Sequence, residues 1–171
     1  DASGQGHTGT NQGTVDAAGK IGRARRSGGA RIQVAQAASL SFSATDSFTL
    51  SAWANFEAPR PQWQGIVTKS RDAAPWYGLW LNKSSAWVAG GPAVISDGAA
   101  AVGWSHLVVV QDGAAGQRRL YVNGALQGTA VAPAASGTGN LVIGGANGVS
   151  EDFFGVVDEV RLLGAAASSD R

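Results

Sequence analysis

Phe48-Thr49-Leu50-Ser51-Ala52-Trp53-Ala54-Asn55-Phe56 places Phe48, Leu50, Ala52, Ala54 and Phe56 on one face and Thr49, Ser51, Trp53 and Asn55 on the other. That period-two alternation predicts a half-buried β-strand. The stretches around it read the same way. Ile66–Lys69 and Tyr77–Leu81 are short strand candidates with Pro75 as punctuation, and Trp87–Ala89 follows a Lys83-Ser84-Ser85 turn. His106–Val110 is a near-continuous apolar run, which predicts cover on both of its faces. Leu120-Tyr121-Val122 meets Asn123-Gly124, the dipeptide that best accepts the two positive φ angles of a type I′ turn, so Ala125–Val131 is the expected return strand. Leu141–Ile143 and Phe154–Leu163 complete the set. Helix signals are scarce. Gln33–Leu40 offers one or two turns in competition with a strand at Ile32–Val34, and Ser168-Ser169-Asp170 is an N-cap with no helix behind it. About ten strands between Gly-rich turns, with no βαβ alternation, predict an all-β, two-sheet antiparallel sandwich or jelly roll.

Composition agrees with one globular domain over residues 1–171. The chain has 171 residues, 44% of them hydrophobic, with 6 Trp and 25 Gly. A chain of this length buries roughly 70% of its unfolded surface. Thirteen basic residues stand against twelve acidic ones, for a net charge of +1. That balance argues against a strongly basic nucleic-acid binder, and no apolar run approaches the ~20 residues that span a bilayer. Zero Cys removes disulfides and Cys-based zinc or redox sites. Charged residues are 15% of the chain, against a typical ~25%, which suits a secreted β-rich module. A start at Asp1 and the absence of Met read as a processed end or an excised fragment.

Most chemical motifs fail on context. Gly4-Gln5-Gly6-His7-Thr8-Gly9 matches GxGxxG but has no strand before it and no helix after it, so it reads as a Gly-rich loop. There is no GxSxG elbow, and the two His residues, His7 and His106, are too few for a His-based metal site. No strand carries acids at i and i+2, the spacing that would aim a glycosidase pair into one cleft. The cluster Lys20, Arg23, Arg25, Arg26 and Arg31 reads as a solvated face ahead of a polyanion patch, because no aromatic is interleaved. The better binding signal is aromatic. Trp63, Trp76, Tyr77 and Trp80 are candidate ligand contacts, with Trp87 close behind. Trp63 and Trp76 are read as exposed on loops, and Trp80 and Trp87 as nearer the core. Asp158 lies among apolar neighbours in the last strand, where an unpaired carboxylate is costly. An oxygen-rich hard-cation site, favouring Ca²⁺, would relieve that cost, and Asp1 at the start of a flexible loop is the candidate second ligand.

Five motifs occur in an order that resembles a known family: Asp1-x-Ser3-Gly4, Phe48–Trp53, Trp104–Val110, Leu120–Gly124 and Phe154–Val160. They are similar to laminin G-like domains of the concanavalin A-like lectin/glucanase superfamily, in its bacterial pentraxin-like branch. The resemblance implies a two-sheet antiparallel jelly roll and a structural Ca²⁺ held by Asp1 and Asp158. It also implies a strand before Asp-x-Ser-Gly and a short helical tail, neither of which this sequence contains, so the chain reads as a fragment trimmed at both ends. Arg25-Arg26-Ser27-Gly28 stands where the family often has Phe. The resulting expectation is a non-catalytic binding module of a secreted or cell-surface bacterial protein, recognising carbohydrate. The expected partner is a glycan or an envelope or extracellular protein, with no nucleic acid and no direct membrane insertion. A structural or adhesion domain without a small ligand is the alternative, and a glycoside hydrolase is third.

Overall fold

The structure, a computed structural model, describes residues 1–91, 93–133 and 136–168. Ser169 and Asp170 of the predicted N-cap lie outside the described residues. Two seven-stranded antiparallel sheets pack face to face. In chain order the first strands are β1 (Gly9–Gln12), β2 (Val15–Ala18), β3 (Arg23–Arg26) and β4 (Arg31–Val34). Then come β5 (Phe48–Phe56), β6 (Gln64–Lys69), β7 (Tyr77–Leu81), β8 (Trp87–Gly90), β9 (Ile95–Ser96) and β10 (Gly103–Asp112). The chain continues through β11 (Gln117–Val122), β12 (Ala125–Val131), β13 (Leu141–Ile143) and β14 (Gly155–Leu163). One sheet has the order β1-β4-β13-β6-β7-β8-β9, the other β12-β11-β10-β5-β14-β3-β2.

β5 carries the core of the second sheet. Phe48, Leu50, Ala52, Ala54 and Phe56 are buried against Leu107, Val109 and Leu120 of its own sheet and against Leu79, Leu81 and Trp87 of the other. Asn123 at φ 51° and Gly124 at φ 81° make the predicted tight turn between β11 and β12. β10 departs from the expectation of cover on both faces. Leu107 and Val109 point into the core, whereas His106 and Val108 are only half-buried on the outer face. There His106 stacks on Trp53 with ring centroids 5.0 Å apart.

The first third of the chain is more regular than its sequence implies. The Gly-rich loop leads directly into β1, and the basic cluster runs from the β2–β3 turn through β3 to the start of β4. On β3 Ala24 is buried while Arg23, Arg25 and Arg26 are exposed; Asp16 pairs with Arg23 and with Arg25 at 2.8 Å, and Arg26 pairs with Glu57. Four of the five cluster cations thus have ion-pair partners, with Arg23 and Arg25 sharing Asp16 and Arg31 paired with Asp152. Gln33–Leu40 resolves into the end of β4 and a single 3-10 turn at Ala38–Leu40.

Candidate functional site

Strand parity decides which aromatics of 63–87 reach the surface. On β7, Tyr77, Leu79 and Leu81 face the core, and Gly78 and Trp80 face outward. Tyr77 is thereby removed from the candidate ligand contacts. It is 1% exposed, packs against Phe48 at 4.7 Å, and donates its hydroxyl hydrogen to Leu40 O at 3.1 Å. Burial pushes its phenol pKa well above the usual tyrosine value. Trp87 is also a core residue, set edge-on against Phe56.

Trp80 lies on the outer face with room made for it by glycine. Its register partners are Gly65 on β6 and Val88 on β8, and Gly90 is diagonal to it. A Cβ at Gly90 would come within 2.7 Å of the Trp80 ring and 2.8 Å of the Trp76 ring. The missing side chain lets both indoles settle over the strand. Their rings meet edge to face, with centroids 5.2 Å apart and planes at 69°.

The loop before β14 supplies the polar wall. Gly65 N–H donates to Glu151 O at 2.7 Å, Phe153 N–H to Gly144 O at 3.0 Å, and Phe154 N–H to the buried Gln64 side chain at 3.0 Å. So fixed, Glu151 accepts the Trp80 indole N–H at 2.9 Å and a forked pair of hydrogen bonds from Arg71. The Arg71 guanidinium in turn stands 4.8 Å from the centre of the Trp76 ring. Trp63, Val88 and Val94 complete a cavity of about 230 Å³ over this group.

Three of the four aromatics proposed from sequence thus meet in one cavity: Trp63, Trp76 and Trp80. Sequence reasoning missed Arg71 and Glu151, which converge from positions 80 residues apart. The available hint was the adjacent acids Glu151-Asp152 just before the apolar pair Phe153-Phe154.

Asp1 and Asp158 do not meet in a comparable way. Asp158 accepts the Ile21 N–H at 3.0 Å on one oxygen and the Glu159 N–H at 2.8 Å on the other. Asp1 accepts from Ser3 N–H, from the Ser3 hydroxyl and from His7 N–H at 2.9 to 3.0 Å. The two carboxylates share no hydrogen-bond partner. No group of three or more His, Cys, Asp or Glu that could hold a metal forms among the described residues. Ca²⁺ needs six to eight oxygens. Two carboxylates with separate hydrogen-bond partners supply at most four of those oxygens.

No curated protein matches this chain in sequence. Solved structures match it in shape. The binding domain of Paraclostridial Mosquitocidal Protein 1 superposes with a TM-score of 0.82 at 14% identity, over 99% of this chain and 47% of that one. This chain therefore spans about half the length of that protein chain. Domain 4 of AbnA, a GH43 extracellular arabinanase from Geobacillus stearothermophilus solved with arabinotriose, gives 0.75 at 21% identity over 94% of this chain and 84% of that one. A putative carbohydrate binding protein from Bacteroides ovatus gives 0.67 at 19% identity over 82% and 42%. A laminin G-type family model, described as the concanavalin A-like lectin/glucanases superfamily, matches residues 26–171, and the chain belongs to that superfamily.

Proposed function

We propose that this chain is a non-catalytic carbohydrate-recognition module whose glycan seats in the Trp63–Trp76–Trp80 cavity. The observation that carries the reading is the edge-to-face Trp76–Trp80 pair above the Arg71–Glu151 ion pair. Indole rings offer an apolar surface to the C–H face of a sugar, and a forked guanidinium beside them offers N–H donors to its oxygens. The neighbours support the same class: one is an arabinanase domain solved with arabinotriose, another a putative carbohydrate binding protein. The extracellular arabinanase also supports an extracellular setting. Within the described residues no helix is long and apolar enough to cross a membrane.

The acid count supports recognition without hydrolysis. Glycoside hydrolysis uses two carboxyl groups about 5–9.5 Å apart across the bond. Glu151 is the one carboxylate among the described residues lining this cavity. Its oxygens already accept from Arg71 and Trp80. The experiment is a glycan array probed with wild type, Trp63→Ala and Trp76→Ala. Glycan binding by wild type that both variants lose supports the reading, and an array silent to wild type removes it.

The adhesion reading retains one observation. The edge strand β12 carries Leu126 and Val131 at 54% and 85% exposed, in the sheet opposite the one that holds Trp80.

A further inference from the structure

We infer that the cavity selects uncharged sugars over acidic ones, and that Glu151 is the residue that sets this preference. The inference rests on the carbohydrate reading above and names the class of sugar that the site takes.

Arg71 and Glu151 are the charged residues among those lining the cavity, and each is engaged by the other. Arg71 Nε lies 3.3 and 3.1 Å from the two carboxylate oxygens, and Nη2 donates to Oε1 at 2.9 Å. Oε2 also takes the Trp80 indole N–H. A carboxylate has about four lone-pair positions, so these contacts use its accepting capacity. What remains for a ligand is the unengaged N–H edge of Arg71, a donor whose positive charge Glu151 already balances. Beside Glu151 in the chain, Asp152 has its own partner in Arg31 at 3.2 Å, and the Arg60 guanidinium is stacked 3.8 Å from the centre of the Phe154 ring.

A neutral sugar meets this wall without cost. Its C–H face covers indole, and a hydroxyl oxygen accepts from Arg71. A sugar carboxylate brings a second negative charge beside Glu151, at a site where Arg71 is 29% exposed and salt can screen the repulsion. It must also compete with Glu151 for the same guanidinium. Discrimination here comes from a repulsive element built into the site as well as from an attractive one.

The test uses pairs of oligosaccharides that differ only at C6 of the terminal residue: galactose against galacturonic acid, and glucose against glucuronic acid. Binding is read by quenching of tryptophan fluorescence in the full chain. Wild type should favour the neutral member of a pair by about tenfold or more at low salt, and the preference should shrink as salt rises. Glu151→Gln keeps the size of the side chain and an acceptor for Trp80 while releasing the Arg71 charge. It should shift the neutral-to-acidic ratio by about tenfold toward the acid. Trp76→Ala should abolish both signals, which places them at this cavity. Equal or preferential binding of acidic sugars by wild type overturns the inference while leaving the carbohydrate reading intact. An unchanged ratio in a folded Glu151→Gln protein does the same. If no member of either pair binds while wild type binds other glycans on the array, the inference falls and the carbohydrate reading stands; an array that is silent as well removes both.

Discussion

The indole N–H of Trp80 reaches Glu151 Oε2 at 2.9 Å, a bond between residues 71 apart in sequence. It ties the outward-facing indole of β7 to the loop that precedes β14, and with Arg71 it turns three separate segments into one rigid wall. Trp80 is 2% exposed and Glu151 8% exposed, so neither group has water to fall back on.

Removing the carboxylate should therefore cost stability as well as ligand. Glu151→Ala orphans a buried indole N–H and an arginine, and leaving buried donors unpaired costs about 1–3 kcal/mol. Trp80→Phe, which removes the donor together with its need, should cost less through this bond, though it also narrows the floor. Urea unfolding of both variants beside wild type checks the order. A Glu151→Ala protein as stable as wild type would mean that the bond is not made in solution.

The tryptophans divide into two groups by parity and should divide the same way in experiment. Trp87→Ala opens a hole between the sheets and should lose about 3–5 kcal/mol of stability. Trp76→Ala removes a half-exposed ring from the cavity wall and should cost clearly less, while binding weakens by more than about tenfold. Thermal melts and a binding titration on the same preparations separate the two effects.

How far the sequence foretells this arrangement depends on what each strand buries. β5 is legible because both of its faces have a fixed character along nine residues. The four-residue strands β1 and β2 are not, because Gly9–Gln12 and Val15–Ala18 lie largely in solvent and so carry no apolar alternation. Strand parity in Tyr77–Leu81 groups Tyr77 with Leu79 and Leu81 against Gly78 and Trp80, while tertiary packing decides which face meets the other sheet. The Arg71–Glu151 contact had no local signature. Ion pairs between distant segments come from topology, and single-sequence periodicity reports only on neighbours.

Lys69 gives a pH signature of the fold. Its side chain is fully buried, donating to Gly137 O, Gly139 O and the Ser70 hydroxyl at 2.7 to 3.0 Å. Burial lowers its pKa to about 8, with Asp72 opposing the shift. An unfolded lysine titrates near 10.4. Between about pH 8 and 10 the unfolded chain thus holds more protons, and unfolding free energy rises with pH through this window. Tyr77, whose pKa is raised, works in the opposite direction only above about pH 10. Lys69→Met removes the rise. Denaturant midpoints of wild type and Lys69→Met at about pH 7.5 and 9.5 should therefore diverge in favour of wild type. A constant difference would show that the ammonium is solvated.

Filling the space left by Gly90 tests the cavity without touching its polar groups. Gly90→Ala brings a methyl against both the Trp80 and Trp76 rings at distances no real Cβ keeps. The rings must shift, so glycan affinity should fall while the Arg71–Glu151 pair stays whole. Tryptophan fluorescence of the free protein should change with it. Unaltered binding would place the ligand elsewhere on the sheet.

Asp158 decides whether the final strand is held by hydrogen bonds or by an ion. Its two oxygens accept from Ile21 and Glu159 N–H, clamping the β2–β3 turn to β14. Asp158→Asn turns one acceptor into a donor facing another donor, and should cost about 1–3 kcal/mol. Because the carboxylate is occupied by N–H groups, wild type should melt at the same temperature in excess EDTA as in excess calcium. A calcium ion bound by Asp1 and Asp158 would instead add about 2.7 kcal/mol at one hundred times its Kd. It would raise the melting point by several degrees in wild type and not in Asp158→Asn. The two outcomes are mutually exclusive. A calcium-dependent melt would mean that an ion, and not the Ile21 and Glu159 N–H groups alone, holds the Asp158 carboxylate.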